Sequence, residues 1–251
     1  MRNSISTLLC GAALAVALTG GLAATAKAPG IPGYIAKAVA DPARPAADTD
    51  RDSKRKPAET MAFGQIRPGE KVIELLPGKG YFTRIFSKIV GPKGHVYAGT
   101  IPNGSGDTKP GASIAGDANY PNVSDLAITN LKPAGKVDVV FTAQNYHDFH
   151  LARLKLDVPA LDKQIYDALK PGGEFYIIDH SAVAGTGLDI PDKLHRIDED
   201  IVKKEVEAAG FKLEAEGNFL RNPNDPRDKL VFDASIRGYT DQFVLRFRKP
   251  K

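Results

Sequence analysis

The sequence contains very few of the residues from which disulfide frameworks and zinc modules are built. Only one cysteine, Cys10, is present among 251 residues, and there is no tryptophan. A single cysteine cannot form an intrachain disulfide, and it cannot supply the clustered thiolates of a structural zinc site. Both kinds of small stapled domain are therefore excluded.

The chain also lacks long blocks of one charge. Lysine and arginine total 34 and aspartate and glutamate total 30, so the net charge is only +4. Because there is no basic stripe with interleaved aromatic residues, we predict no nucleic-acid partner. The hydrophobic fraction of 42% and the charged fraction of 25% are typical of a globular protein, which excludes a disordered chain and a multi-span membrane protein.

The longest apolar stretch lies near the N-terminus. Arg2 is the only charge before Lys27, and the apolar residues 8–18 are followed by small residues that end in Ala24-Thr25-Ala26. This pattern is typical of a secretory signal peptide. We predict a signal peptide over residues 1–26 and a periplasmic or secreted protein without stable membrane insertion after cleavage. An uncleaved anchor is the alternative, but glycines and alanines make the segment a poor one.

The next segment has no hydrophobic period. Residues 27–56 are rich in proline, alanine and charged side chains, and the charged run 50–56 is typical of a solvated segment. We therefore predict a flexible linker over 27–56. From residue 57 onward, apolar runs alternate with helical periodicity, which predicts one α/β domain over 57–251.

Six segments of this domain have the pattern of strands, and amphipathic helices separate most of them. The predicted strands are residues 72–76, 96–98, 137–141, 175–178, 211–215 and 243–248. Such alternation predicts a doubly wound, mostly parallel sheet with helices on both faces. Because no clear helix joins the last two strands, we expect an antiparallel C-terminal edge strand.

A glycine-rich turn, Pro77-Gly78-Lys79-Gly80, follows the first predicted strand. In an open parallel sheet, ligands bind at the carboxyl ends of the strands, where a helix N-terminus and backbone N–H groups are available. The turn lacks the P-loop spacing, and Thr83 replaces the third glycine of the dinucleotide motif. Glu74 within the strand would repel a pyrophosphate and would favour a ligand with an ammonium group.

Three segments, in the same order along the chain, resemble motifs of the class I S-adenosylmethionine-dependent methyltransferases. They are residues 72–83, 169–175 and 207–213. The resemblance implies a Rossmann-like seven-stranded sheet and S-adenosylmethionine as the cofactor. Three further segments resemble an exported group of predicted methyltransferases, namely residues 52–59, 145–148 and 219–250.

The same resemblance implies a set of cofactor-binding residues. Those that would surround the methionyl part of the cofactor are Glu74, Pro77, Gly78 and Gly80. Asp117 stands where the family contacts the adenine, and Asn145 would face the transferable methyl group. The family usually has an acid at the end of the second strand to hold the ribose hydroxyls. That acid is absent here, and Thr100 would supply a single weaker bond.

The segment after the fourth predicted strand carries the catalytic candidates. His147 is the predicted general base because histidine titrates near neutrality, and Asp148 would orient it. Tyr146 is predicted to face the substrate. The structural alternatives are a His147 side chain that caps a helix or bonds to the backbone, and a Tyr146 ring that is simply half-buried.

Two further groups of residues carry conditional interpretations. Histidines and aspartates near the predicted site raise a metal site as a minor alternative: His147, His180, His195, Asp148 and Asp179. No pair has a close ligand spacing on one helix, so no metal site is predicted. Five arginines make the C-terminal quarter basic and would favour an anionic substrate if they converge over the cleft: Arg221, Arg227, Arg237, Arg246 and Arg248.

These features together predict an exported enzyme that transfers a methyl group from S-adenosylmethionine to an oxygen or nitrogen atom of a small molecule. The alternative is an exported binding module that keeps the fold without catalysis. The missing ribose acid favours that alternative, as does the cytoplasmic origin of the cofactor. The sequence does not indicate the methyl acceptor or the oligomeric state.

Overall fold

The structure is a computed structural model that describes residues 30–101 and 114–251. The predicted signal peptide, residues 1–26, lies outside the described residues. None of the helices in the two described ranges has the length and apolar character that crossing a bilayer requires.

Seven strands in the described ranges form one sheet. In chain order they are β1 (Lys71–Leu75), β2 (His95–Thr100), β3 (Val123–Ala127), β4 (Val137–Ala143), β5 (Leu169–His180), β6 (Lys212–Gly217) and β7 (Gln242–Arg248). The order across the sheet is β3-β2-β1-β4-β5-β7-β6. Strands β1 to β5 pair in parallel, whereas β7 runs antiparallel to both β5 and β6. The predicted doubly wound, mostly parallel sheet is confirmed. Its antiparallel strand β7 lies between β5 and β6, so the edge strand is β6.

Helices cover both faces of the sheet. The α-helices in the described ranges are α1 (Gly33–Val39), α2 (Ala46–Thr49), α3 (Asp52–Arg55), α4 (Pro57–Phe63), α5 (Tyr81–Val90), α6 (Val158–Ala168), α7 (Ile190–Leu194) and α8 (Glu199–Ala208). Helices α1, α4 and α5 contribute to one buried cluster, and α6 and α8 contribute to the cluster on the opposite face.

The alternation of side chains along each strand divides the core between these two clusters. In β1, Val72 packs on the side of α5, whereas Ile73 and Leu75 pack on the side of α6. Burying each such side chain contributes roughly 1.5–3 kcal/mol. Because both faces are covered, the strand is a nearly continuous apolar run. Glu74 is the one charged residue within this run.

One strand has no clear signal in the sequence. Strand β3 pairs only with β2 at the edge of the sheet, and Val123 is its only buried residue. A half-exposed edge strand carries little of the apolar period on which strand prediction depends. The six strands predicted from pattern therefore omit β3.

The prediction of a flexible linker is wrong for residues 30–56. This segment forms α1, α2 and α3, and Ile35 of α1 is fully buried in the same cluster as α5. Two hydrogen bonds of 2.8 and 2.6 Å join Arg44 to Asp52, and the Tyr81 hydroxyl donates to Asp52 across 2.6 Å. Helices of four to seven residues are too short to show an apolar period. The folded domain therefore begins before residue 57.

Candidate functional site

A cleft of about 470 Å³ opens at the carboxyl ends of β1 and β4. From β1 the chain continues to β2 on one side of this point, and from β4 it continues to β5 on the other side. Ligands of α/β sheets bind where the strand order reverses in this way. We call it the cofactor cleft. The residues that line it belong to the end of β1 and the turn after it, to the start of α5, to the end of β4 and the residues after it, and to the segment from α2 to α3: Ala47, Asp48, Arg51, Arg55, Glu74, Leu76, Pro77, Gly78, Lys79, Tyr81, Phe82, Ala143, Gln144 and Asn145.

The turn after β1 depends on left-handed backbone conformations. The φ angles of Gly78 and Gly80 are 56° and 83°, which glycine adopts without the strain that a side chain adds. Gly80 is also crowded, because a Cβ atom there would lie 3.0 Å from Cγ2 of Ile114. Helix α5 begins directly after Gly80. Its first turn therefore brings backbone N–H groups, which have no partner within the helix, to the edge of the cleft.

Glu74 lines the cofactor cleft with a carboxyl group that is almost completely buried. Its Oε2 atom accepts a hydrogen bond of 2.6 Å from the Thr83 hydroxyl. Burial raises the pKa of Glu74 to about 8, although the Thr83 hydrogen bond and the charge of Arg55 act in the opposite direction. An approaching cation would favour the ionised form of this carboxyl group. Glu74 is thus suited to a ligand with an ammonium group.

The segment predicted to be a linker forms one wall of the cofactor cleft. Asp48 of α2 is buried and accepts hydrogen bonds from Arg84 at 2.9 Å and from Arg51 at 3.0 Å. The Arg55 guanidinium lies 4.4 Å from the centre of the Tyr81 ring. Burial lowers the pKa of Arg55 to about 10, so this residue remains charged at neutral pH. The charged run 50–56 is the signal that the sequence offers for this wall, but a solvated segment would show the same pattern of charges.

The predicted cofactor-binding residues are only partly brought together. Pro77, Gly78 and Asn145 line the cofactor cleft with Glu74, and Gly80 is next to it in the turn. The Asn145 amide donates to the carbonyl oxygens of Leu76 at 3.1 Å and Ala143 at 2.7 Å. Asn145 thus connects the ends of β1 and β4, and its amide nitrogen is occupied by these backbone bonds.

Two further predicted cofactor contacts lie neither among the described residues that line the cleft nor in the turn after β1. Thr100 is buried at the end of β2, with 2% of its surface exposed. Asp117 accepts hydrogen bonds from the backbone N–H of Asn119 at 2.8 Å and from its side chain at 3.1 Å. The structure therefore gives Asp117 a local turn-stabilising role. Contacts of either residue with the cofactor stay predictions.

The prediction that Tyr146 faces the substrate is wrong. The ring is fully buried in the cluster beneath α6 and α8. Its hydroxyl oxygen lies 2.8 Å from Oδ2 of Asp162 and 3.1 Å from Oε2 of Glu205, so its single proton is shared within an acidic pair. Burial and these two acidic neighbours raise the pKa of Tyr146 well above its usual value. Because the side chain is fully buried and is not among the described residues that line the cofactor cleft, its role is structural.

His147 is also buried, and its partner differs from the predicted one. Its Nδ1 atom lies 2.7 Å from Oδ1 of Asp179, and its backbone N–H donates to Oδ2 of the same carboxylate at 2.7 Å. Asp179, not Asp148, orients the ring. Although burial alone would lower the pKa of His147, the neighbouring carboxylates raise it to about 10. With no cation bound, the ring is therefore protonated at neutral pH, which does not favour the predicted role as a base.

A second cleft of about 460 Å³ adjoins the cofactor cleft. We call it the acceptor cleft. Residues from α3, from the end of β5 and from the C-terminal loops line it, together with three residues shared with the first cleft: Arg51, Lys54, Arg55, Gln144, His180, Val231, Phe232, Arg237, Gly238 and Gln242. Four of these side chains are basic and none is acidic, so the cleft favours an anion.

The five C-terminal arginines do not converge as the conditional prediction required. Only Arg237 lines the acceptor cleft. The others pair with acidic side chains outside it, as Arg227 does with Asp241 at 2.9 Å and Arg248 with Glu174 at 2.7 Å. The remaining basic residues of the cleft come from α3 and the residue before it.

The fold and the position of the cofactor cleft define a class I methyltransferase architecture, and known proteins of this class are similar to the chain. No family model matches it. The ubiquinone/menaquinone biosynthesis C-methyltransferase UbiE of Vibrio vulnificus (strain YJ016) is 30% identical over 197 residues, which cover 74% of this chain and 65% of the relative. UbiE of Shewanella piezotolerans is 27% identical, covering 74% of this chain and 67% of the relative. The chain thus spans about two thirds of the length of these curated relatives.

Solved structures agree on the fold. A SAM-dependent methyltransferase from Aquifex aeolicus is 18% identical with a TM-score of 0.50, covering 86% of this chain and 98% of that one. An arsenic(III) S-adenosylmethionine methyltransferase from Chlamydomonas reinhardtii is 16% identical with a TM-score of 0.52, covering 88% and 74%. The chain therefore has the fold of these S-adenosylmethionine-dependent methyltransferases, and its sequence is similar to that of the UbiE methyltransferases. The predicted fold class is confirmed, and the predicted enzyme class and cofactor agree with these relatives and structures.

Proposed function

We propose that the protein transfers the methyl group of S-adenosylmethionine to an oxygen atom of a small anionic acceptor. The observation that carries the proposal is the junction of the two clefts, which share Arg51, Arg55 and Gln144. A cofactor in the first cleft and an acceptor in the second would therefore approach each other at these residues. Methyl transfer is an in-line displacement that depends mainly on such alignment.

The cofactor would occupy the cofactor cleft with its methionyl ammonium group near Glu74. Ionisation of Glu74 on binding would form a charge-assisted hydrogen bond. The left-handed turn at Gly78 and Gly80 would allow the cofactor to approach the backbone closely. S-adenosylmethionine supplies the reaction with an electrophilic methyl group when it is bound.

The acceptor cleft favours an oxygen nucleophile that is already charged. Its basic side chains would hold a carboxylate or a phenolate through charge-assisted hydrogen bonds. A carboxylate carries no proton at neutral pH, and a phenol held as its phenolate would have released its proton to solvent on binding, so neither would need a general base during methyl transfer. This is consistent with the absence of a base among the groups described at the junction, since His180 is buried and bonds to Thr240 through Nδ1 at 2.7 Å.

Calorimetric titration of residues 27–251 with S-adenosylmethionine and S-adenosylhomocysteine tests cofactor binding. We expect dissociation constants in the micromolar range, which correspond to about −8 kcal/mol. Gly80→Val is expected to abolish the binding heat. Gly69→Val is the matched control, because Gly69 has a φ of 84° but lies in the turn before β1. Equal binding by both variants would contradict the site, and no binding by the unchanged chain would favour the non-catalytic module.

Transfer of a labelled methyl group to a panel of acceptors tests the second half of the proposal. Small aromatic carboxylates and phenols are expected to be labelled in preference to neutral alcohols. A carbon acceptor is the second candidate, because the curated relatives are C-methyltransferases. A hydroxylated aromatic compound with a free ring position distinguishes the two outcomes, since the product shows whether oxygen or carbon carries the label.

We also propose that the protein is exported. The support is the sequence pattern of residues 1–26, namely one early positive charge, an apolar stretch and a small-residue cleavage site. Fractionation of cells that express the chain, followed by N-terminal sequencing, tests the proposal. A mature protein that begins at residue 27 in the exported fraction is expected, and an intact N-terminus in the cytoplasmic fraction would refute it.

A further inference from the structure

Three atoms of the kind that bind metals meet close to the acceptor cleft. Nε2 of His147 lies 3.2 Å from Nδ1 of His195 and 3.3 Å from Oδ1 of Asp148. The His195 and Asp148 atoms are 3.5 Å apart. Ligand atoms that lie about 2.0–2.1 Å from a tetrahedral zinc ion are separated from one another by about 3.3–3.4 Å. The triangle therefore has the size of one face of such a coordination shell.

We propose that His147, His195 and Asp148 bind one divalent transition-metal ion of the zinc type. Two imidazoles and one carboxylate form the donor set of many catalytic zinc sites and of non-haem iron sites, and both kinds leave a coordination position open. Among the residues that the structure describes, this is the one group of three or more histidine, cysteine or acidic side chains with such convergent atoms.

Asp179 prepares His147 for this role. Oδ1 of Asp179 lies 2.7 Å from Nδ1 of His147, and Oδ2 accepts the backbone N–H of the same residue. A carboxylate that holds one ring nitrogen fixes the tautomer and the orientation, so the other nitrogen is directed to the metal. Because Asp179 is fully buried, it holds the ring firmly while Nε2 faces His195 and Asp148.

Asp148 supplies a second indication of a missing ligand. Its Oδ1 atom is buried and accepts no hydrogen bond within the part of the chain that the structure describes. The 3.3 Å separation from His147 therefore does not have the angles of a hydrogen bond. A buried carboxylate oxygen whose nearest partners are two ring nitrogens at 3.3 and 3.5 Å is poorly satisfied by hydrogen bonds, and a bound cation would satisfy it.

The triangle formed by His147, His195 and Asp148 lies close to the acceptor cleft. Metal binding at this triangle does not require that the protein transfers methyl groups. The ring of His195 lies 5.1 Å from that of Phe232, and the ring of His147 lies 5.8 Å from that of His180. Phe232 and His180 both line the acceptor cleft. An ion at the triangle would thus lie directly behind the cleft wall, close to where an anionic acceptor would bind.

Metal titration of the full chain after removal of metal with a chelator tests the proposal. Zn²⁺ is added in a calorimeter, and Co²⁺ is added while its visible absorption is recorded. We expect one ion per chain with a dissociation constant of about a micromolar or lower. The Co²⁺ bands should have the intensity of a four- or five-coordinate site with nitrogen and oxygen ligands. Mg²⁺ prefers oxygen ligands and should not compete.

Substitutions show whether the ion occupies this triangle. His195→Asn and Asp148→Asn are expected to weaken Zn²⁺ binding by about 100-fold or more. Asp179→Asn should weaken it by about 10- to 100-fold, as other substitutions behind metal ligands do. His95→Asn is the control, because His95 lies at the start of β2 and bonds to Ser124.

The outcomes separate a metal site from a cluster held by hydrogen bonds alone. Absence of Zn²⁺ binding by the unchanged chain would overturn the proposal, and so would equal binding by His195→Asn and His95→Asn, which would indicate an adventitious ion. His195 has a φ of 51°, a conformation that asparagine tolerates, and its side chain is 25% exposed. The His195→Asn variant is therefore expected to fold, and it decides the question even if Asp148→Asn does not fold.

Discussion

The hydroxyl of Thr83 donates a hydrogen bond of 2.6 Å to the buried carboxyl group of Glu74. This bond connects β1 to the first turn of α5 across the glycine-rich turn. Thr83 stands where a dinucleotide-binding motif has its third glycine. The residue that weakens the resemblance to that motif is therefore the one that holds the acid of the cofactor cleft in place.

Replacement of Glu74 tests its predicted role toward the cofactor. Glu74→Gln should lower the affinity for S-adenosylmethionine by about 10- to 100-fold, because a hydrogen bond to a charged group contributes about 1.5–3 kcal/mol. Thr83→Val should lower the affinity by a smaller factor, since it leaves the carboxyl group present but unsupported. Calorimetric titration measures both effects. Glu207→Gln on the exposed side of α8 is the control, and an equal affinity of Glu74→Gln and this control would exclude the role.

The stability of the protein should depend on pH through the same carboxyl group. The pKa of Glu74 is about 8 in the folded protein and 4.5 in an unfolded chain. Because the pKa of Glu74 is higher in the folded protein than in the unfolded chain, protonation of this carboxyl group favours folding. The contribution of Glu74 is therefore fully present below pH 4.5 and is lost as the pH rises through 8, by about 1.4 kcal/mol per pH unit at most.

Denaturant titrations of the unchanged chain and of Glu74→Gln between pH 5 and pH 8 measure this effect. As the pH rises, the free energy of unfolding of the unchanged chain should fall relative to that of Glu74→Gln. The charged groups that act on Glu74 are Arg55, Arg84 and Asp48, and they are present in both proteins. A difference that is constant across this range would show that Glu74 titrates as an exposed acid does.

Helix α1 should contribute measurably to stability if residues 30–56 are part of the domain. Ile35 is fully buried, whereas Ile31, four residues earlier, is 45% exposed. Ile35→Ala is expected to lower the free energy of unfolding by about 2–5 kcal/mol. Ile31→Ala should change it by about 0.5 kcal/mol or less. Denaturant unfolding of the two variants compares them, and equal stability would mean that α1 does not pack as described.

The sequence predicted those parts of the fold in which local pattern and tertiary environment agree. The apolar run before Pro77 and the period of α5 both follow from burial on two faces of the sheet. Strand β3 lies at an edge and α1 to α3 are short, so neither has enough apolar period to be recognised. The order of β6 and β7 depends on long-range pairing, which no local pattern records.

The candidate site was predictable where its residues are adjacent in the chain and not where they are distant. The turn from Pro77 to Gly80 was recognised because its chemistry lies within four residues. The pairing of His147 with Asp179, which are separated by 32 positions, was missed. Asp148 was expected to orient His147 because it is its neighbour in sequence. In a sheet, however, β4 and β5 bring their ends together, and the end of β5 supplies the carboxylate.

Arg237 should determine affinity for the acceptor if the acceptor cleft binds anions. Its guanidinium lies 5.9 Å from the Phe232 ring, and both residues line the cleft. Arg237→Met is expected to raise KM for the preferred carboxylate or phenol by about tenfold, equivalent to about 1.4 kcal/mol, with little change in kcat. Arg153→Met removes one charge from an exposed position outside both clefts and should leave KM unchanged. Because binding of a neutral acceptor does not involve this charge, its KM should be equal in both variants. A rise in KM for neutral and anionic acceptors alike would instead assign Arg237 to the shape of the cleft, through its contact with Phe232.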